Sequence, residues 1–405
     1  MIKLFLNILL LATVSLVSGI SSAESFSDYL KSQQDTTSSQ FRQYSTAEKD
    51  EFETYKQQLL TAFDEYKKSV ATVWGNKHND IPTNTRDVSY QDNMNQRSII
   101  DYETGQIKVE LALSPDAAKN TALVQKQMQK AINSALNRGS DTRSIIEIAK
   151  NPSKSKPVGP ALLANLVKTG GDKALSNSKR TQFITQQSKK IQKTSTRGTD
   201  KQPRVIVSTS FPMISNHMRV RAEKYLKPVK KYSAKMKLPT EIVFAIMETE
   251  SAFNPNARSG VPAFGLMQLV PTSGARDAYR LLFDKDKVVT DRYLYNPDNN
   301  IKLGTAFIHK LYYSYLSGIK SAEARTWATI AAYNTGAGNV FNTFAGKYRK
   351  SKFGNRSNWK NQALSSINNK TPEQVYQYLK RNLPHKETQH YIQNIRKRIP
   401  KYKSL

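Results

Sequence analysis

Residues 239–251 read PTEIVFAIMETES, and this stretch decides the fold of the C-terminal half of the chain. Pro239 suits the start of a helix, and apolar residues follow it at helical spacing. Val243, Met247 and Glu250 fall on one face, because residues three and four apart are neighbours on a helix. The sequence therefore predicts a helix whose apolar face ends in a carboxylate.

That carboxylate, Glu250, has two interpretations. A Glu that enters an apolar face resists ionisation, because burial disfavours its charged form. Proton donors are made in this way in enzymes that cleave glycosidic bonds. A structural network with Arg258 explains the same residue equally well from the helix alone.

The residues after Glu250 predict the wall and floor of a cleft. The run AFNPNARSG at 252–260 is polar and rich in turn residues. GLMQ at 265–268 then joins a flexible glycine to the two-way hydrogen-bonding amide of Gln268, and a new helix can begin near Gly274.

Four sequence blocks resemble the lytic transglycosylases of the soluble type. The first joins ESAFNPNARS to GLMQLVP, and three more follow in the family's order: NPDNNIKLGTAFI at 296–308, WATIAAYNTGAGNV at 327–340 and TQHYIQNI at 388–395. One block alone would be weak, whereas four in order are specific. Residues 210–232 and the region before them resemble, more narrowly, the subgroup of membrane-bound lytic murein transglycosylase C.

The resemblance implies an α+β protein. A mainly helical, lysozyme-like catalytic domain at 214–405 would follow a small α+β domain at 24–213 of the type found in murein transglycosylase C. In the N-terminal domain we predict a β-hairpin at 97–113, which reads RSIIDYETGQIKVELAL. We also predict a strand that pairs with it at 203–213, which reads PRVIVSTSFPM. Residues 81–98 read as a loop.

The resemblance also implies a mechanism that uses a single Glu, placed here at Glu250. It would protonate the oxygen between N-acetylmuramic acid and N-acetylglucosamine, and then act as base towards the sugar's own 6-hydroxyl, which closes a 1,6-anhydro ring. Tyr333 and Asn334 would hold Glu250 and the N-acetyl group through hydrogen bonds. The residues implied to contact substrate are Ser251, Met267, Gln268, Tyr333, Asn334 and Tyr391.

A hydrolysing glycosidase usually needs a second carboxylate. Asp277, Asp291 and Asp298 are candidates, but their turn-like segments favour capping or loop ordering. A muramidase that uses water therefore remains an alternative to the transglycosylase. A glycan-binding envelope-assembly protein that has lost activity is a further alternative, which the intact motifs disfavour.

The first 23 residues have the parts of a secretory signal: a basic start, an apolar run and a small-residue cleavage pattern ending at Ala23. We therefore expect export to the periplasm or cell envelope. The chain contains no cysteine. Membrane-bound members of the subgroup carry a lipid on a cysteine after the signal, so we expect no lipid anchor here.

The chain is strongly basic, with 62 Lys and Arg against 32 Asp and Glu and a formal net charge of +30. In an exported protein this favours peptidoglycan strands as partner and peripheral contact with the anionic envelope surface. Without a nucleic-acid motif we expect no nucleic acid, and the sequence names no protein partner. His309, His385 and His390 lack metal-ligand spacing, so we expect neither metal nor cofactor.

Overall fold

The computed structural model describes residues 53–155, 157–258, 263–346 and 356–405. The predicted signal segment at 1–23 lies outside these ranges. The chain divides into two units, residues 1–57 and 58–405. Of the first unit the structure describes residues 53–57, which are helical. In the described residues no helix is long and apolar enough to cross a membrane.

The second unit contains a five-stranded antiparallel sheet with strand order β1-β2-β3-β7-β6. The short strands β4 and β5 form a separate two-stranded ladder. The strands are β1 (Arg86–Gln91), β2 (Gln96–Asp101), β3 (Gln106–Leu113), β4 (Lys168–Thr169), β5 (Lys173–Ala174), β6 (Gln192–Arg197) and β7 (Pro203–Pro212).

The predicted hairpin is confirmed, because β2 and β3 pair with Asp101 opposite Gln106. The predicted pairing of the 203–213 segment is also confirmed, since β7 lies beside β3. The prediction of a loop over 81–98 is wrong, because half of that stretch forms β1 and the start of β2. Its polar residues are buried through ion pairs, such as Asp87 with Arg138 at 3.2 Å.

Each face of this sheet is covered by a helix, and successive residues of a strand point to opposite faces. One face places Val109 and Leu111 in a core shared with helix α3, which contributes Met128 and Ile132. On the other face the Arg97 guanidinium lies 4.0 Å from the ring centroid of Trp74, at the end of helix α1.

Helices make up most of the remainder. The first five are α1 (residues 58–74 in this unit), α2 (Pro115–Lys119), α3 (Thr121–Asn137), α4 (Ile145–Lys150) and α5 (Arg180–Gln187). The next six are α6 (His217–Glu223), α7 (Leu226–Met236), α8 (Thr240–Ser251), α9 (Gly274–Phe283), α10 (Asp291–Leu294) and α11 (Pro297–Lys310). The last five are α12 (Ala322–Thr335), α13 (Ala337–Phe344), α14 (Arg356–Asn368), α15 (Pro372–Asn382) and α16 (Lys386–Tyr402).

The predicted helix at 239–251 is confirmed as α8, with Pro239 as its N-cap. Val243 to Met247 are fully buried, so α8 lies at the centre of the helical part. It packs against α7 and α16. The α+β prediction is therefore confirmed: most of the described residues after β7 are helical, and a small antiparallel sheet precedes them.

Candidate active site

Helix α8 is fixed in place through one of its two late carboxylates. Glu248 is 3% exposed, accepts a 2.6 Å hydrogen bond from the Tyr402 hydroxyl and pairs with Lys401 at 3.0 Å and Arg398 at 3.1 Å. All three partners belong to α16. Because Glu248 is used in this way, the last turn of α8 keeps a fixed position relative to α16.

Glu250, two residues later, is in a different environment. The Tyr391 hydroxyl on α16 donates a 2.6 Å hydrogen bond to its Oε1. Burial raises the pKa of Glu250 to about 8, the Tyr391 hydrogen bond lowers this pKa, and the charge of Glu387 raises it. A carboxyl group with this pKa is protonated at neutral pH and can donate a proton.

The alternative interpretation of Glu250, a structural network with Arg258, does not describe this site. The Arg258 guanidinium donates to the main-chain carbonyl of Asp141 at 2.9 Å and lies 4.6 Å from the ring centroid of Tyr295. Arg258 therefore orders the loop that follows α8, and the hydrogen-bond partner of the Glu250 side chain is Tyr391.

Ser251 joins α8 to the GLMQ segment. Its buried hydroxyl donates to the carbonyl of Leu266 at 2.8 Å and lies 3.1 Å from the carbonyl of Met247. In this conformation the Ser251 hydroxyl donates its proton to a main-chain carbonyl of the protein. The predicted contact of Ser251 with sugar stays a prediction.

The GLMQ segment is held from two sides. The Met267 amide donates to Asn300 at 2.8 Å, and the Met267 carbonyl accepts a 2.7 Å hydrogen bond from the Tyr333 hydroxyl. Gln268 turns its amide back to the Gly265 carbonyl at 3.0 Å. Tyr333, expected from the resemblance to hold Glu250, thus positions Met267, and Tyr391 is the tyrosine that donates to Glu250.

Asn334 connects α12 to the helix that bears Tyr391. Its Oδ1 accepts a 2.6 Å hydrogen bond from the Thr388 hydroxyl of α16. Burial, followed by the nearby Glu250, raises the pKa of the Tyr333 hydroxyl well above its usual range. Glu250, Met267, Tyr333 and Tyr391 are therefore brought together, and Asn334 supports them through α16.

The three aspartates considered as second carboxylates have partners elsewhere. Asp277 pairs with Lys310 at 3.0 Å, and Asp298 accepts a 2.6 Å hydrogen bond from Tyr232. Asp291 is 5% exposed and accepts the main-chain N–H of Arg292 at 2.7 Å. Asp277 therefore links α9 to α11, and Asp298 links α11 to α7, so the expected role in capping or loop ordering does not describe them. Asp291 bonds within the first turn of its own helix, α10.

The sheet reaches the end of α8 through Asn84, which sequence reasoning missed. The Asn84 amide donates to the main-chain carbonyl of Glu250 at 3.0 Å, and the Asn84 carbonyl accepts from Asn254 at 3.2 Å. Asn256 donates to the Asp87 carboxylate at 3.0 Å. The end of α8 and the loop that follows it are therefore held by residues more than 160 positions earlier in the chain.

Comparison with known proteins agrees with these observations. Residues 52–224 match the family model of the N-terminal domain of membrane-bound lytic murein transglycosylase C, and residues 227–355 match the transglycosylase SLT domain. The chain is 32% identical to membrane-bound lytic murein transglycosylase C of Yersinia enterocolitica, over 80% of this chain and 84% of that protein. The chain belongs to this transglycosylase C family.

A second transglycosylase C, from Haemophilus influenzae strain PittEE, is 30% identical over 83% of this chain and 86% of that protein. Among solved structures, an inactive mutant of the lytic transglycosylase Slt from Pseudomonas aeruginosa is 26% identical with a TM-score of 0.30, covering 43% of this chain and 23% of that chain. The predicted class of enzyme, a lytic transglycosylase, is confirmed by this family membership.

Glu387 is a further residue of the candidate site in this transglycosylase C family member. Sequence reasoning missed it. It lies in the first turn of α16, one turn before Tyr391, and its charge acts on Glu250. The block TQHYIQNI begins one residue after Glu387, which could have pointed to it. Among the described residues no group of three His, Asp or Glu is arranged to hold a metal ion.

Proposed function

We propose that the protein cleaves the β-1,4 bond between N-acetylmuramic acid and N-acetylglucosamine in peptidoglycan and leaves 1,6-anhydro ends. The observation that carries this proposal is the partly buried Glu250, whose pKa is raised to about 8 and whose Oε1 is held by Tyr391. A group that serves first as acid and then as base needs a pKa near the working pH.

The proposed reaction has two steps. The protonated Glu250 gives its proton to the bridging oxygen, the bond between this oxygen and the muramic C1 breaks, and N-acetylglucosamine leaves with a free hydroxyl. The 6-hydroxyl of the same muramic ring then bonds to C1, and the Glu250 carboxylate takes its proton. The ring's own hydroxyl has a very high effective concentration, so it traps the oxocarbenium-like centre ahead of solvent.

The other residues have supporting roles in this proposal. Tyr391 orients Glu250 and limits the rise of its pKa. Met267 and Gln268 line the sugar subsites, Asn334 binds the N-acetyl group, and Ser251 contacts the sugar if its internal hydrogen bonds exchange.

We place this reaction in the cell envelope of the producing cell. The segment 1–23 would direct export, residues 24–213 would form the N-terminal domain, and 214–405 the catalytic domain. The excess of basic residues would draw the enzyme to anionic sacculi, so binding to sacculi would weaken as salt rises. The absence of a lipid anchor stays a prediction that rests on the missing cysteine.

Product analysis tests the proposal. Purified sacculi are digested in heavy-oxygen water by the wild type and by the Glu250→Gln variant, and the muropeptides are analysed by mass spectrometry. We expect unlabelled 1,6-anhydro ends from the wild type and a rate about 10²–10⁴-fold lower from the variant. Labelled reducing ends would reject the proposal in favour of a muramidase, and binding without turnover would indicate an inactive glycan-binding protein.

The muramidase is kept as a second candidate because of Glu387. Its exposed carboxylate interacts electrostatically with Glu250 and is the acid that we would assign to activating a water molecule. In that case the labelled product would disappear in a Glu387→Gln variant.

A further inference from the structure

A cavity of about 730 Å³ lies beside the loop that follows Glu250, apart from the groups assigned to the reaction. The loop contributes Phe253 and Pro255 to its wall. The opposite wall comes from the segment around Val158 and Pro160, and Val158 is 53% exposed. No Asp or Glu occurs among the described lining residues, whereas Arg221, Lys224 and Arg292 do.

Arg221 is the unusual member of this lining. It is 2% exposed, and the described part of the chain places no carboxylate within 4 Å of its guanidinium. Its Nη2 donates to the Tyr102 carbonyl at 2.6 Å, and its Nη1 lies 2.7 Å from Nδ1 of His217. Its Nε is buried without a hydrogen-bond partner.

The acid that acts on this charge from a distance is bound to other partners. Glu248 contributes to the electrostatic environment of Arg221, but its oxygens are held by Lys401 and Tyr402. A buried cation without a paired anion destabilises the folded protein. Arg221 is thus a buried positive charge at the wall of a cavity, and no described carboxylate is paired with it.

Tyr102 and Lys224 are two further polar groups beside Arg221 in the cavity lining. Tyr102 is 1% exposed, its hydroxyl has no hydrogen-bond partner, and its ring centroid lies 5.0 Å from the Arg221 guanidinium. Lys224 lies one turn after Arg221 and still reaches solvent. The pKa of its ammonium is lowered, first by desolvation and then by Arg221, so the two cations are close together.

We propose that this cavity binds a free carboxylate of the peptide that branches from the glycan strand, with Arg221 and Lys224 as its anion site. The inference rests on the proposed function for its choice of ligand. A peptide carboxylate supplies the missing counter-charge to the buried Arg221 and can accept charge-assisted hydrogen bonds from the exposed Lys224 ammonium. The apolar wall at Val158, Pro160 and Phe253 suits the aliphatic part of a short peptide.

The position of the cavity gives this site a role in specificity. Phe253 and Pro255 follow Glu250 by three and five residues, so an occupied cavity would act on the loop that directly follows the helix bearing the acid. The peptide would then be read on one side of the loop and the glycan cleaved on the other.

A binding experiment without glycan tests this. The probe is a synthetic stem tripeptide with free carboxylates, and the same tripeptide with its carboxylates amidated is the comparison. Both are titrated calorimetrically into the full-length wild type, Lys224→Met and Lys230→Met. Lys230 is an exposed lysine of α7 that does not line the cavity, so it is the matched control for loss of one charge.

We expect the acidic tripeptide to bind the wild type and Lys230→Met equally, and to bind Lys224→Met about tenfold more weakly. The amidated tripeptide should not bind. Equal binding of the two peptides, equal loss in both variants, or no binding of the acidic peptide would overturn the proposal. Inorganic phosphate is titrated in parallel, and phosphate that binds in this cavity in place of the peptide would also overturn it.

Turnover of sacculi is measured in a separate assay. The proposed reaction and the proposed peptide site can therefore be rejected independently of each other. An active enzyme that ignores the tripeptide would reject this site alone. A protein that binds the tripeptide but makes no anhydro ends would reject the proposed reaction and leave the site standing.

Discussion

The side-chain amide of Asn84 donates a 3.0 Å hydrogen bond to the main-chain carbonyl of Glu250. Asn84 lies just before β1, and Glu250 lies in the last turn of α8. The contact therefore links the sheet to the residue proposed as the acid.

The Asn84→Ala variant should lose about two- to tenfold in turnover of sacculi, because one hydrogen bond contributes about 0.5–1.5 kcal/mol and a misplaced Glu250 donates its proton less well. The matched control is Asn79→Ala, which removes a similar amide contact, to the Lys67 carbonyl, that does not reach the loop. Initial rates and melting temperatures are measured for both. Equal losses of rate would mean that Asn84 only stabilises the sheet.

The Tyr391→Phe variant should raise the pKa of Glu250 further, because the lost hydrogen bond lowers it. The alkaline limb of the pH–rate profile should move to higher pH by about one unit, and the maximal rate should fall. Tyr333→Phe is the control, since its hydroxyl donates to Met267. A larger pH shift in Tyr333→Phe would contradict the assignment of Tyr391.

The Glu387→Gln variant should act in the opposite direction. Removing a charge that raises the pKa of Glu250 moves the alkaline limb to lower pH. Because Glu387 is exposed, we expect a shift below about half a unit that shrinks as salt increases. Glu373→Gln on α15, an exposed acid paired with Arg396, should leave the profile in place.

The Glu250→Gln variant should be more stable than the wild type at neutral and alkaline pH. The folded pKa of Glu250 is raised to about 8 from 4.5, so the wild type loses stability as pH rises through this interval, while the variant has no proton to lose. We expect a gain on the order of 1–3 kcal/mol in the free energy of unfolding at pH 8 that vanishes below pH 4.5.

Denaturant titrations at several pH values measure this difference. Glu323→Gln, which changes an exposed acid at the start of α12, serves as control and should show a small effect that does not vary over the same interval. A Glu250→Gln variant that is less stable at pH 8 than at pH 4, relative to the wild type, would show that Glu250 is ionised in the folded protein.

The sequence predicted those parts of the structure that depend on local spacing. Helix α8, the β2–β3 hairpin and the GLMQ segment depend on spacing within a few residues, and the motifs made the family recognisable. Strand β1 was missed because its polar residues looked like a loop, and the burial of Asp87 depends on two distant partners, Arg138 and Asn256. Strand β6 was missed because QKTSTR at the sheet edge is mostly exposed and has no apolar alternation.

Long-range contacts explain the rest of the candidate site. The choice between Tyr333 and Tyr391 as the partner of Glu250 depends on how α16 packs on α8. That packing depends on Glu248, whose burial among Lys401, Arg398 and Tyr402 is not visible in a motif. For the same reason, the sequence pattern around Arg221 did not reveal that its charge is buried without a carboxylate.

The hydrogen bond between Tyr391 and Glu250 joins residues 141 positions apart. A ribosome therefore makes the proposed acid long before it makes the partner that orients it. A nascent chain that has emerged only as far as α8 carries the carboxylate without α16, and thus without the burial and the hydroxyl that adjust its acidity. The site is therefore complete only after α16 has been made and has packed against α8.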